Sequence, residues 1–171
     1  MNGELIVELV YLYNKLEYEG EFLFNRKYNG KGYDENGNII YELINGNGKV
    51  KEYYDNGKLQ FEGRYLNGKK NGKGKEYNWF YGKLIFEGEY KNGLREGYGI
   101  KFGDFGDKYE GEFKNYVTNG YGIYYFKNGD KYEGEFKNDV INGYGIYYLE
   151  NGNRYEGEFK NGEINGYGIY Y

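Results

Sequence analysis

The chain has 171 residues, a formal net charge of −4, and no His, Cys or Pro. It also lacks Ser, and Thr118 is its only small hydroxyl, so the usual covalent nucleophiles and general bases are nearly all missing. These absences exclude most enzyme classes, any disulfide framework and any ordinary zinc site, so no metal and no cofactor are expected.

What remains is aromatic and flexible: 26 Tyr, 11 Phe and 31 Gly. Tyr and Phe favour pleated, half-buried surfaces, and Gly marks turns or close backbone approach. The composition is that of an all-β protein.

Residues 1–17 are the least regular. Alternation of Leu5, Val7 and Leu9 fits a strand, whereas Ile6, Leu9, Val10 and Tyr13 fit a helix face, and periodicity does not decide between them. An N-terminal strand or cap covering the first repeat edge is the preferred expectation. The apolar run Leu5–Leu12 is interrupted by Glu8, has no basic segment before it and is far too short to span a bilayer, so it does not read as a targeting segment.

From residue 18 to 171 the chain repeats. Anchors of the type Tyr-Glu-Gly-Glu-Phe begin at 18, 41 (degenerate), 61, 86, 109, 132 and 155, spaced 23, 20, 25, 23, 23 and 23 apart. The extra residues of the third repeat sit near Trp79-Phe80-Tyr81. Each copy reads as a β-hairpin. In its first strand Tyr132, Gly134 and Phe136 share one face and Lys131, Glu133, Glu135 and Lys137 the other. In its second strand Gly143, Gly145 and Tyr147 share a face, opposite Tyr144, Ile146 and Tyr148. Asn128-Gly129 and Asn151-Gly152 mark tight turns between repeats. Seven such hairpins predict a single-layer, curved antiparallel meander of about fourteen strands. Large rings lying over Gly134, Gly143 and Gly145 would replace a second sheet as the means of burying apolar area.

The pattern Tyr-x-Gly-x-aromatic-x-x-Gly-x-x-x-Gly-x-Gly, as in Tyr155 to Gly168, resembles the MORN repeat (membrane occupation and recognition nexus). Two departures are visible: Phe136 or Tyr65 where the family often has Trp, and Asn119, Asn142 and Asn165 where it often has His. Repeats two to four, with Lys49–Gly57 and Leu66–Gly74, also resemble the variant repeat of YwqK-type antitoxins. The resemblance implies a curved hairpin ribbon with a scaffold, protein-binding or membrane-apposition role, and a cytoplasmic location extending to membrane or cytoskeleton. An antitoxin-like accessory subunit is a further reading by analogy.

Three candidate sites follow. The first is a partner-binding groove lined by Tyr109, Phe113, Tyr124, Tyr132, Phe136, Tyr147, Tyr155, Phe159 and Tyr170, set against the plainer reading that these rings are the core. The second is the opposite face: Tyr121, Ile123, Tyr125, Tyr144, Ile146, Tyr148, Tyr167, Ile169 and Tyr171, a candidate interface for a protein partner or a homodimer. Cross-strand packing over the Glu and Lys rows is its plain alternative. The third is the basic cluster Lys69, Lys70, Lys73 and Lys75, expected around a hairpin tip, as an anionic-lipid contact or a solvated lysine turn.

Charge is uneven along the chain. Nine Lys or Arg face four Asp or Glu between Lys49 and Lys83, but ten face fifteen between Leu84 and Tyr171. The net acidity argues against a nucleic-acid partner. The recurring Glu110, Glu133, Glu156 and Glu112, Glu135, Glu158 read as a solvated charge ladder. The last strand presents a hydrophobic edge, so either the chain is truncated or that edge is paired, and a homodimer through it is expected.

Overall fold

A computed structural model describes residues 4–12 and 14–171; residues 1–3 and Tyr13, which belong to the expected N-terminal cap, lie outside the described residues. Fifteen strands follow in order: β1 (Leu5–Leu12), β2 (Lys15–Leu23), β3 (Arg26–Tyr33), β4 (Ile39–Leu43), β5 (Gly48–Tyr53), β6 (Leu59–Leu66), β7 (Lys69–Tyr77), β8 (Leu84–Lys91), β9 (Leu94–Phe102), β10 (Lys108–Lys114), β11 (Val117–Tyr125), β12 (Lys131–Lys137), β13 (Val140–Tyr148), β14 (Arg154–Lys160) and β15 (Glu163–Tyr170). No helix occurs among the described residues. The sheets are open, with strand order β1 to β4 in one and β5 to β15 in the other. All registered neighbours are antiparallel, as the hairpin repeat predicts. One strand more than expected arises because β1 pairs with β2 as a full strand, from Leu5 opposite Leu23 to Leu12 opposite Lys15. The strand alternative at the N-terminus is the one adopted.

The chain forms two compact units: residues 1–84 with Tyr90–Gly93, and Ile85–Glu89 with Leu94–Tyr171. In the first unit Tyr18, Phe61 and Leu43 are sealed from water, joined by Tyr41, Val50 and Tyr90. Tyr18 packs edge-on against Phe22 and near-parallel to Tyr41, while Phe61 meets Tyr90 edge-on. Lys27 lies over the Tyr18 ring and pairs with Glu17 at 3.0 Å; Lys70 lies 4.1 Å from the Phe61 ring centre and pairs with Glu76 at 3.3 Å.

In the second unit a row of glycines crosses seven strands. Gly99, Gly111, Gly122, Gly134, Gly145, Gly157 and Gly168 stand opposite one another in turn. Tyrosine rings lie on this row. A Cβ at Gly145 would stand 2.4 to 2.6 Å from the hydroxyl, Cζ and Cε2 of Tyr132. The same relation holds for Tyr109 over Gly122 and Tyr155 over Gly168. Each tyrosine then meets the Phe of its own strand and, for Tyr109 and Tyr132, the Phe of the next repeat. Tyr132 contacts Phe136 at 5.3 Å and Phe159 at 5.1 Å, both edge-on. Edge-to-face geometry suits the ring quadrupoles and adds about 0.5–1.5 kcal/mol per pair to the burial of area. This zipper makes a core without a second sheet.

Two details differ from expectation. Gly143 does not lie beneath a ring. The β12–β13 register shifts between Gly134 and Phe136, Gly143 has φ +105°, and a side chain there would meet the Glu135 carboxylate. A β-bulge has redirected it, which period-two counting does not foresee. Likewise the Asn128-Gly129 turn is wider than a two-residue hairpin. Phe126 and Asp130 close it, with Gly129 N–H donating to Phe126 O at 3.0 Å and Phe126 N–H to Asp130 O at 2.9 Å. The two-residue turns occur within repeats instead, as at Asn138-Asp139, where both φ angles are positive (51° and 64°). These tips bridge neighbouring repeats: Asp139 N–H donates to Thr118 O and Gly162 N–H to Ile141 O.

Candidate interaction surfaces

The nine residues of the ring-lined face divide by burial. Tyr109, Phe113, Tyr132, Phe136, Tyr155 and Phe159 are all buried and form the zipper itself. Tyr124 and Tyr147 are half-buried, and Phe126 lies between them at 4.6 and 5.4 Å. Tyr170 is exposed. Burial, followed by its hydrogen bond to Asp130 (2.9 Å), pushes the Tyr147 hydroxyl up to about 12. Desolvation likewise pushes Tyr132 up to about 12. Of the nine, Tyr124, Tyr147 and Tyr170 are therefore the ones that keep ring surface open to a partner.

The opposite face of the second unit is built differently. Strand register lays three rows across it. One alternates Ile and Glu: Ile100, Glu110, Ile123, Glu133, Ile146, Glu156, Ile169. The next alternates rings and cations: Phe102, Lys108, Tyr125, Lys131, Tyr148, Arg154, with Tyr171 bonded by its backbone to Arg154. Lys108, Lys131 and Arg154 lie 4.2, 4.1 and 4.3 Å from the ring centres of Tyr125, Tyr148 and Tyr171. The third row holds Tyr98, Tyr121 and Tyr144, at 53%, 53% and 51% exposure. Their hydroxyls donate to Glu110 (2.7 Å), Glu133 (3.3 Å) and Glu156 (3.0 Å). The Tyr98 bond, first among the causes, holds the Glu110 carboxyl below its ordinary range and raises the Tyr98 hydroxyl.

The acidic residues are thus more than a solvated ladder. Glu110, Glu133 and Glu156 orient exposed tyrosines, while Glu112, Glu135 and Glu158 cover the bulge glycines Gly120, Gly143 and Gly166. Tyr98, Tyr121 and Tyr144 are consequently held by their hydroxyls while about half their surface meets water, and Tyr167, at the same position of the last repeat, is 91% exposed. Rigid, amphipathic rings lose little entropy on contact, which suits them to binding. Tyr98 joins the candidate residues of this face, and its place after Gly97 repeats that of Tyr121 after Gly120.

The four lysines do not form one cluster. Lys70 points to the Phe61 side and is occupied by Glu76, whereas Gly74 packs on Phe61 and so places Lys73 and Lys75 on the reverse face. Lys69 pairs across the hairpin with Leu66. Alternation of side chains along β7 accounts for the division.

The Tyr-x-Gly hairpins, the ring-over-glycine packing and the 23-residue recurrence correspond to a known family: the MORN repeat profile matches residues 61–83, 86–104, 109–131, 132–154 and 155–171. This chain belongs to the MORN repeat family. Repeats three and four, within the stretch read as YwqK-like, are matched as MORN repeats. Upstream of the matched segments, Tyr18 still lies over Gly30 and Gly20 still opposes it, so the first MORN-like hairpin keeps the geometry without matching the profile. No curated protein matches the chain.

Proposed function

We propose that this MORN repeat protein is a non-catalytic interaction scaffold, and that the outer face of its second unit binds a protein partner or a second copy of the chain. One observation carries the reading: Tyr98, Tyr121 and Tyr144 stand half-exposed at the same position of successive repeats, each tethered to a glutamate. The fold does not need them there, since its apolar area is buried on the other face by the tyrosine–phenylalanine zipper. Recurrence every two strands sets a spacing of about 10 Å, matched to an elongated partner crossing several repeats. In the alternative reading, an anionic-lipid contact through Lys69, Lys70, Lys73 and Lys75, the Lys70 ammonium would have to leave Glu76.

The test compares the wild-type chain with Tyr98→Ser/Tyr121→Ser/Tyr144→Ser. Light scattering across a wide concentration range, together with capture of partners from a cell extract, should show a mass increase or a retained protein that the variant loses. A monomer at every concentration, with identical captured proteins for both chains, would sink the proposal.

A further inference from the structure

The loop that lengthens the third repeat sets Trp79, Phe80 and Tyr81 side by side at the surface, 46%, 64% and 68% exposed. Ring centres lie 5.5 Å apart for Trp79–Phe80 and 5.4 Å for Phe80–Tyr81, so the three form one contiguous apolar cluster. The corresponding turns in the fifth and sixth repeats carry Lys127-Asn128 and Glu150-Asn151, which are polar, and that of the fourth carries the single ring of Phe105. Three successive rings at this position are particular to the third repeat.

The backbone around the tip is equally particular. Asn78 Oδ1 accepts the N–H groups of Phe80 (2.7 Å) and Tyr81 (2.9 Å). Gly82 N–H donates to Asn78 O at 2.8 Å, and Asn78 N–H to Lys83 O at 2.7 Å. The Trp79 carbonyl accepts from Asn56 Nδ2 at 2.8 Å, and the Phe80 carbonyl accepts from the Lys58 ammonium. The Trp79 indole N–H donates to Asp55 Oδ1 at 2.8 Å. These polar groups have protein partners already, so moving the tip out of bulk water leaves them satisfied. An unmet backbone group would cost several kcal/mol in such a medium, which is why water-exposed loops seldom enter lipid.

Charge completes the pattern. Lys58 and Lys83 are exposed beside the cluster, and Lys83 Nζ lies 5.7 Å from the Tyr81 ring centre. The nearby carboxylate of Asp55 is engaged by the indole. Trp and Tyr with flanking lysines suit the headgroup region, where ring bodies meet acyl chains and ammonium groups reach phosphates.

We propose that the Trp79-Phe80-Tyr81 tip inserts into the interfacial layer of an anionic lipid bilayer, with Lys58 and Lys83 at the lipid phosphates. This site is separate from the tyrosine rows of the second unit, and neither proposal depends on the other.

Trp79 is the only tryptophan, so its emission reports the tip directly and needs no variant. The full chain is mixed with vesicles of phosphatidylcholine alone or of equimolar phosphatidylcholine and phosphatidylserine. On the anionic vesicles the emission should shift to the blue and be quenched by brominated acyl chains. Phe80→Ser with Tyr81→Ser keeps the reporter, and should lower partitioning on the order of tenfold while the circular dichroism stays unchanged. Vesicle binding without a change in Trp79 emission overturns the proposal, as does equal partitioning onto the two vesicle types or no binding at all. A blue shift that grows with protein concentration in the absence of vesicles would assign the tip to a second copy, and would overturn it too.

Discussion

Replacing Gly145 by Ala tests the ring-over-glycine packing in the middle of the zipper. The added methyl would sit 2.4 to 2.6 Å from three atoms of the Tyr132 ring. That ring is wholly buried, held edge-on by Phe136 and Phe159, and its hydroxyl donates to Glu135 O at 3.2 Å. It has no free space to enter, so either the strands part or the ring leaves its site. Overpacking of this kind costs about 1–3 kcal/mol, and loss of the tyrosine hydrogen bond about 1 kcal/mol more. Replacing a strand glycine by Ala returns about 0.5–1 kcal/mol of chain entropy. The net expectation is a loss of about 1–3.5 kcal/mol. Urea unfolding followed by circular dichroism should show the midpoint falling by roughly 1 M at ordinary sensitivity to denaturant. In a Tyr132→Leu background the smaller side chain gives the methyl room, and the same substitution should cost less by about 1 kcal/mol or more. A Gly145→Ala chain within about 0.5 kcal/mol of wild type, or one with no coupling to Tyr132, would refute the packing account.

Two further predictions concern charge. Burial pushes the hydroxyls of Tyr18, Tyr132 and Tyr147 up to about 12, above the ordinary 10. With folded values raised, the stability they contribute is intact below about pH 10 and is lost as pH climbs towards 12. Absorbance of tyrosinate should therefore rise in two phases, the later one coinciding with loss of the β-sheet signal; a single phase near pH 10 with the sheet intact would contradict this. Separately, Lys70→Ala removes the cation from Phe61 and leaves Glu76 without that ion-pair partner, and should destabilise the chain by about 1–2 kcal/mol. Lys73→Ala, at an exposed position, should stay within about 0.5 kcal/mol, and equal effects would mean that the two lysines share an environment.

Much of the fold follows from residue type and spacing. Tyr132, Gly134 and Phe136 alternate cleanly with charged neighbours, and the absence of any side chain at Gly134 and Gly145 points to a ring lying across them. Gly143 escapes that logic because its place depends on a bulge, a register property set jointly by two strands. The turn types escape for a related reason: Asn-Gly marks both kinds, but closure by Phe126 and Asp130 is settled by how the flanking strands pair. Lys70 and Lys73 look alike in sequence, and only the parity of β7 separates the half-buried pair from the exposed side chain. Ring faces were legible as faces. Which of them stays open to water was not, because it depends on whether the zipper of Tyr109, Tyr132, Tyr155 and their phenylalanines closes over itself. Tyr98 could have been found by matching Gly97-Tyr98-Gly99 to Gly120-Tyr121-Gly122, a correspondence hidden by the charged residues before it.

The claim that the outer face of the second unit is the binding surface is tested most directly by site-specific photo-cross-linking. A benzophenone side chain in place of Tyr121, half-exposed at the middle of the tyrosine row, should form a covalent adduct with a partner protein or with a second copy of the chain. The same group in place of Asn151, in an exposed turn, should form none. Adducts at Asn151 but not at Tyr121, or none at either position, would contradict the account.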